Sequence, residues 1–380
     1  ALEIQRRFGD AKVQLIEKEP ACGLHASGRN SGVLHAGFYY TADSLKARFT
    51  RDGNRELTEY CRERGLPLNA CGKLVVARDA SELAGLDELL RRARANGVAL
   101  ESVSVDEAWR IEPRVRTHER ALFSPSTSSV DPHAVIAALS ADACAAGVEI
   151  RTGVAYRGRQ NGTVHTSGGE IAAGYVVNAA GLYADTIARD FGFSADYRIL
   201  PFKGVYLYAE DGEALRTHVY PVPDLRNPFL GVHFTLRADG RVKIGPSAIP
   251  AFWREHYRGL QNFRLGECLE ILRREASLFL RDDFGFRGLA VSELRKYSRR
   301  HLVRLAAELV TGVEARRYRH WGDPGIRAQL VNLRERKLEM DFRYEGNEGS
   351  FHVLNAVSPA FTCAFPFSRY LVSEMERLLR

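Results

Sequence analysis

The sequence predicts an α/β protein built in two parts, and three observations carry that expectation. Helix and strand alternate near the start of the chain and again over residues 132–185, whereas residues 198–250 read as a run of short strands. The third is length: 380 residues exceed what one hydrophobic core comfortably fills. With 45% apolar and 27% charged residues the chain has the usual globular balance, enough to bury a sizeable core.

Residues 1–8 read as a helix that Gly9 stops, and a strand over 12–17 follows, apolar at Val13, Leu15 and Ile16 and ending in Glu17. This is the second half of a βαβ unit. In the dinucleotide-binding version a glycine-rich turn precedes the helix, with an acidic residue about 20 positions after it, which puts the turn before Ala1. Helices over 42–64 and 81–96 flank a strand at 72–77. Pro132 opens a helix over 132–146 and Gly147 caps it. Strands at 148–151, 153–157 and 175–178 come next, the last running into Ala179, Ala180, Gly181 and a further helix. Four strands follow at 204–209, 218–221, 229–235 and 241–244, the last two joined at Asp239 and Gly240. Residues 254–309 read as mostly helical, with arginines such as Arg273, Arg281, Arg295 and Arg304 among leucines, either a solvated basic face or a membrane-surface contact. Strands at 338–344 and 351–354 and a helix to Arg380 complete the chain.

A net charge of +7 suits an anionic substrate or an acidic membrane surface, and no basic run alternates with aromatics as a nucleic-acid surface would, so no nucleic-acid partner is expected. The six cysteines form no CxxC pair and no metal-ligand spacing, which points to free thiols in a reducing compartment and no metal. No apolar stretch approaches the ~18 residues of a membrane span. A cytoplasmic protein, with peripheral contact to the inner face of the cell membrane as an option, is the expectation.

Chemistry concentrates in a few segments. GRNSGVLHAG (28–37) packs three glycines with Arg29, Asn30, Ser31 and His35, and such a loop can lie along a pyrophosphate or be merely irregular. Glu17 suits ribose hydroxyls or a solvated strand end, and VVNAAGLYAD (176–185) admits a bulky group over its small residues or plain packing. His35, His233 and His352 are candidate bases or core histidines. Arg327 in GIRAQL and Lys203 in PFKG are candidate carboxylate partners or surface ion pairs.

Taken together, IEKE (16–19), SGRNSGVLHAGFYY (27–40), NAAGLYAD (178–185), PFKGVY (201–206), YPVPD (220–224), LGVHFT (230–235), GIRAQL (325–330) and NAVSPAFT (355–362) resemble the L-2-hydroxyglutarate oxidase/dehydrogenase family of FAD-dependent, amino-acid-oxidase-like flavoproteins. The likeness covers residues 14–367 and rests on the order and joint presence of these motifs. It implies a discontinuous Rossmann-like FAD-binding domain (1–75, 130–198 and 320–380) and a mixed-sheet α+β substrate domain (76–129 and 199–319). It implies FAD held by Glu17, Lys18, Ser27, Arg29, Asn30, Ser31, His35, Val154, Ala180, Gly181, Pro359, Ala360 and Thr362. The reaction implied is oxidation of a small anionic L-2-hydroxy acid, with His35 as base and His233 second, Arg327 and Lys203 on the carboxylates, and quinone or oxygen as electron acceptor. Amine or glycerol-3-phosphate oxidation, or a binding protein without catalysis, are the alternatives. The family's first strand and GxGxxG turn do not stand in the sequence, and a truncated record is the expected reason.

Overall fold

The computed structural model describes residues 1–210, 214–225 and 229–380. Alternation along the strands of its largest sheet decides how the rest packs. That sheet has eight strands, in the order Tyr318–Trp321, Leu207–Ala209, Val242–Gly245, His233–Leu236, His218–Pro221, Lys73–Val76, Arg120–Ser124 and Glu101–Ser104. It is mixed: His218–Pro221 runs parallel to Lys73–Val76, and the other pairs are antiparallel. Successive side chains point to opposite faces. One face carries Leu74, Val219, Phe234, Leu236 and Ile244, and it is sealed by Leu302, Val303 and Ala306 of helix Arg299–Ala307. The register places Lys73, His218, Tyr220, His233, Thr235 and Lys243 together on the other face, all of them buried.

A second sheet is built on the antiparallel pair Tyr197–Gly204 and Gly325–Asn332, eight residues each and in continuous register, with Ile249–Pro250 and Lys337–Leu338 at its edges. Phe202 faces Arg327 across this pair, and Lys203 faces Ile326 on the reverse side. The βα architecture expected near the start and at 132–185 is present in smaller pieces. Gln14–Glu17 pairs parallel with Glu149–Thr152, and Val176–Asn178 pairs parallel with Ser350–Asn355. Helix Leu45–Glu63 crosses the segment before helix Ala364–Leu378 so closely that a Cβ at Gly53 would stand 2.2 Å from the Thr362 carbonyl, so no larger residue fits there.

The NAAGLYAD motif has a structural use. Asp185, fully buried, accepts from Arg254 Nη1 at 2.7 Å and Nη2 at 3.1 Å and also from the Ile199 N–H at 3.1 Å, tying helix Ala184–Asp190 to the second sheet. Removing one partner of such a buried pair typically costs ~3–5 kcal/mol because the other charge is stranded.

Several elements differ from the sequence-based reading. The strand expected at 204–209 is two, Tyr197–Gly204 and Leu207–Ala209, and the one expected at 229–235 starts only at His233. Residues 254–264 form turns, and the helices that follow are Leu265–Arg281, Phe286–Arg295 and Arg299–Ala307. The strands Arg120–Ser124, Tyr318–Trp321 and Gly325–Asn332 were not anticipated. In Gly325–Asn332 the alternation of apolar Ile326, Ala328 and Leu330 with polar Arg327 and Gln329 was the available signal.

Candidate active site

A cavity of about 2350 Å³ runs from Glu17 and Val154 at one end, past Ala180 and Gly181, to the polar face of the large sheet and Arg327 at the other. Every residue that the family resemblance implies for cofactor or catalysis lines it except Lys203, and the candidate base His352 does not line it either. Strand alternation explains the Lys203 exception. Phe202 and Gly204 face the cavity, so Lys203 points to the reverse side, where its Nζ lies 3.5 Å from the Tyr257 carbonyl and 5.9 Å from the Tyr297 ring centre. The structure does not bring Lys203 to the other candidates.

At the Glu17 end, Oε1 accepts the Glu19 N–H at 2.9 Å, while the Val154 N–H is spent on the Glu17 carbonyl at 2.9 Å, which leaves only carbonyl oxygen at Val154 for a ligand. Lys18 is committed to Glu19 and, at 2.6 Å, to Glu255. His25 completes a group with these two acids whose ligand atoms lie within 4.8 Å, and the Lys18 ammonium already supplies the positive charge there.

The loop over 28–37 is rigid by its own bonding. Asn30 Nδ2 donates to the Ser27 carbonyl at 2.6 Å and its Oδ1 accepts the Gly32 N–H at 2.8 Å; Ser31 Oγ accepts the Val33 N–H at 3.3 Å. Arg29 donates to the Leu24 carbonyl at 2.7 Å and lies over the Tyr257 ring. A Cβ at Gly28 would meet the Gly23 carbonyl at 2.0 Å, so this turn requires glycine. Across the cavity Thr362 Oγ1 accepts the His35 N–H at 3.2 Å and donates to the Val33 carbonyl, pinning this loop to the segment with Pro359 and Ala360. Ala180 and Gly181 are exposed to the cavity, with no atom within 4 Å of where a Cβ would stand on Gly181.

The reacting end is defined by buried bases. His233 stacks on Tyr220 with ring centres 3.6 Å apart, and its Nδ1 lies 2.7 Å from the Gly231 carbonyl. A carbonyl only accepts, so the proton sits on Nδ1 and Nε2 keeps a free lone pair. Burial pushes the His233 imidazole down to about 3, against the raising effect of the Gly231 bond. Burial, then Lys73 and His233, hold His35 well below the usual histidine range. Among the described residues the buried His35 Nδ1 has no partner, an arrangement that a lone pair tolerates better than an N–H, so its proton belongs on Nε2. Each histidine thus keeps one nitrogen lone pair, Nε2 on His233 and Nδ1 on His35. His352, by contrast, is satisfied on both nitrogens by Asn178 and Ser350 and is a core residue.

Arg327 keeps accessible surface because that surface is the cavity wall, yet it lies deep in the protein, and burial pushes its guanidinium down to about 10. Its Nε donates to Gln329 at 3.1 Å and its guanidinium faces the Phe229 ring at 5.1 Å. Three cations went unnoticed in the sequence. Lys46 lines the cavity, while Lys73 and Lys243 lie on the polar sheet face, over Tyr220 at 4.2 Å and Tyr206 at 4.1 Å. Lys243 stands between Val242 and Ile244 in its strand, and that polar parity was the available signal for it; Lys73 opens the run KLVV, which carries none.

The cavity's volume, its small-residue flank and the Glu17 carboxylate fit FAD, and Arg327 in its lining fits an anionic substrate. A profile of the family described as FAD dependent oxidoreductase matches residues 1–374. Among curated proteins the chain is similar to L-2-hydroxyglutarate dehydrogenase of Escherichia coli (strain K12), 35% identical over 392 residues and covering 100% of this chain and 90% of that protein. It is also similar to the mitochondrial L-2-hydroxyglutarate dehydrogenase of Mus musculus, 34% identical with 96% and 83% covered. Among solved structures it resembles the FAD-bound L-alpha-glycerophosphate oxidase of Mycoplasma pneumoniae, with TM-score 0.74, 21% identity and 100% and 91% coverage. Glycine oxidase of Geobacillus kaustophilus matches with TM-score 0.68, 22% identity and 99% and 90% coverage.

Proposed function

The chain belongs to the FAD-dependent oxidoreductase family, and from that premise we propose that it oxidises L-2-hydroxyglutarate, or a close L-2-hydroxy acid, to the 2-oxo acid. The observation that carries this reading is that Arg327 and two histidines kept uncharged by burial line the same cavity. Arg327 offers a planar fork to the carboxylate next to the carbinol carbon. His233 Nε2 accepts the hydroxyl proton, and His35 Nε2–H steadies the oxygen as it loses that proton. FAD, when bound, supplies the hydride acceptor. Glu17 would hold the ribose, the segments with Ser27, Arg29, Asn30 and Ser31 and with Ala180 and Gly181 would hold the middle of the cofactor, and Pro359, Ala360 and Thr362 would hold its ring. The positive end of helix Ala364–Leu378 favours negative charge there. In this reading the FAD part and the roof part divide near residues 72, 130, 198 and 322, which keeps the eight-stranded sheet whole.

Mixing the flavin-loaded protein anaerobically with L-2-hydroxyglutarate, glycine, other amino acids and glycerol-3-phosphate tests the donor. The 2-hydroxy acid should bleach the flavin absorption fastest. Bleaching by an amine or by glycerol-3-phosphate alone would overturn the substrate, and full-length protein that purifies colourless would favour a binding role.

The acceptor we propose is a membrane quinone, reached by peripheral contact. Leu265, Leu269, Leu272 and Leu280 are exposed along helix Leu265–Arg281, with Arg264, Arg273 and Arg281 beside them. An anionic bilayer complements both features. The protein should sediment with vesicles containing anionic lipid and stay in the supernatant with neutral ones. Equal recovery from both would remove the membrane contact, and oxygen would then be the acceptor.

A further inference from the structure

Lys46 is the second residue of helix Leu45–Glu63. Helical side chains lean toward the N-terminus, which here opens on the cavity, and Lys46 lines it while only 4% exposed. Asp341 is the adjacent acid, but its carboxylate is engaged by backbone. Oδ2 accepts the Leu45 N–H at 2.8 Å, and Oδ1 accepts the N–H groups of Lys46 at 3.1 Å and Phe342 at 2.8 Å. Among the described residues Lys46 forms no ion pair, and the nearest ring, Phe342, is centred 5.8 Å from Nζ. A buried ammonium in that position is costly unless an anion reaches it.

Arg327 stands on an unrelated element, strand Gly325–Asn332, and its charge reaches Lys46. Two cations thus reach one cavity from separate elements, and the Asp341 carboxylate, whose charge acts on Lys46, is held in place by backbone N–H groups; an anion with a second charge suits that pair.

Resting on the functional reading above, we propose that Lys46 is the residue that selects a substrate with a second carboxylate. Arg327 grips the carboxylate beside the reacting carbon, and Lys46, a compact point charge, receives the distal one. Burial first, and Arg327 second, push the Lys46 ammonium down to about 7, a penalty that a bound dianion relieves.

The test compares wild type with Lys46→Met and Lys46→Arg, using L-2-hydroxyglutarate and L-2-hydroxyvalerate, which has the same chain length without the distal carboxylate. Lys46→Met should raise KM for the diacid by ~10–100-fold, the value of one charged hydrogen bond, with kcat nearly unchanged and the monoacid unaffected. Without turnover, the melting-temperature rise on adding 2-oxoglutarate should vanish in Lys46→Met, while the rise with 2-oxovalerate persists. Lys46→Arg should restore part of the diacid preference. Equal losses on both acids, or an unchanged KM for the diacid, would overturn the role of Lys46. Wild type that neither oxidises 2-hydroxyglutarate nor responds to 2-oxoglutarate, yet bleaches with an amine, sinks the functional reading and this role with it.

Discussion

Replacing His233 with asparagine is expected to lower kcat for the 2-hydroxy acid by ~10²–10⁴, the usual worth of a positioned base. KM and the flavin spectrum should change little, because the side chain that accepts the proton is not proposed to grip either ligand. His233 is preferred to His35 on the ground that the Gly231 carbonyl fixes its proton on Nδ1. A loss of less than about tenfold, with a larger one in His35→Asn, would transfer the role to His35. The pH profile gives an independent reading. The base works unprotonated, and burial pushes His233 down to about 3, so kcat at saturating substrate should hold level as pH falls from 8 to 5. A steep acid limb centred near 6.5 would count against it.

The second large effect is on stability. Burial holds His35, His218 and His233 below the ordinary histidine range, so near and below pH 6.5 the unfolded chain binds protons that the folded one refuses. Stability therefore falls as pH drops through that range, by ~1.4 kcal/mol per pH unit for each histidine, or ~4 for the three. Lys46, Lys73 and Lys243, which burial pushes from 10.5 down to about 7, act in the same direction at higher pH. Between 7 and 10.5 the unfolded lysines keep protons that the folded ones have lost, so stability rises with pH there. Buried Tyr39, Tyr40, Tyr206 and Tyr220 are all raised, and they reverse the slope above about 10, where unfolded tyrosines ionise. The melting temperature should therefore climb from pH 5 to about 10 and then fall. A flat plateau from 5 to 8 would show that these groups are not buried uncharged.

Much of the fold was legible because the relevant signals are local. The helix–strand alternation, Pro132 and Gly147 around one helix, and the strand His218–Pro221 all follow from residues a few positions apart. The strand carrying Arg327 was missed although Ile326, Ala328 and Leu330 alternate with Arg327 and Gln329, a five-residue pattern that no turn residue directly follows. At the site, motif residues could be identified in sequence because they cluster along the chain. What a single chain position cannot disclose is the side of a strand it faces. Lys203 and Phe202 are neighbours in PFKG, yet pleating sends them to opposite sides. Lys46 sits in an unremarkable helix start and becomes notable only beside Arg327 and Asp341, residues that are roughly 300 positions away.

The parity of the large sheet carries a further consequence. Within Lys73–Val76, His218–Pro221 and His233–Leu236, neighbouring residues answer to different demands: Leu74, Val219 and Phe234 hold the fold, while Lys73, Tyr220 and His233 shape the electric environment of the cavity. Substrate preference and acidity can thus drift at every other position without loosening the scaffold, and relatives that share this backbone are free to diverge in chemistry one side chain at a time.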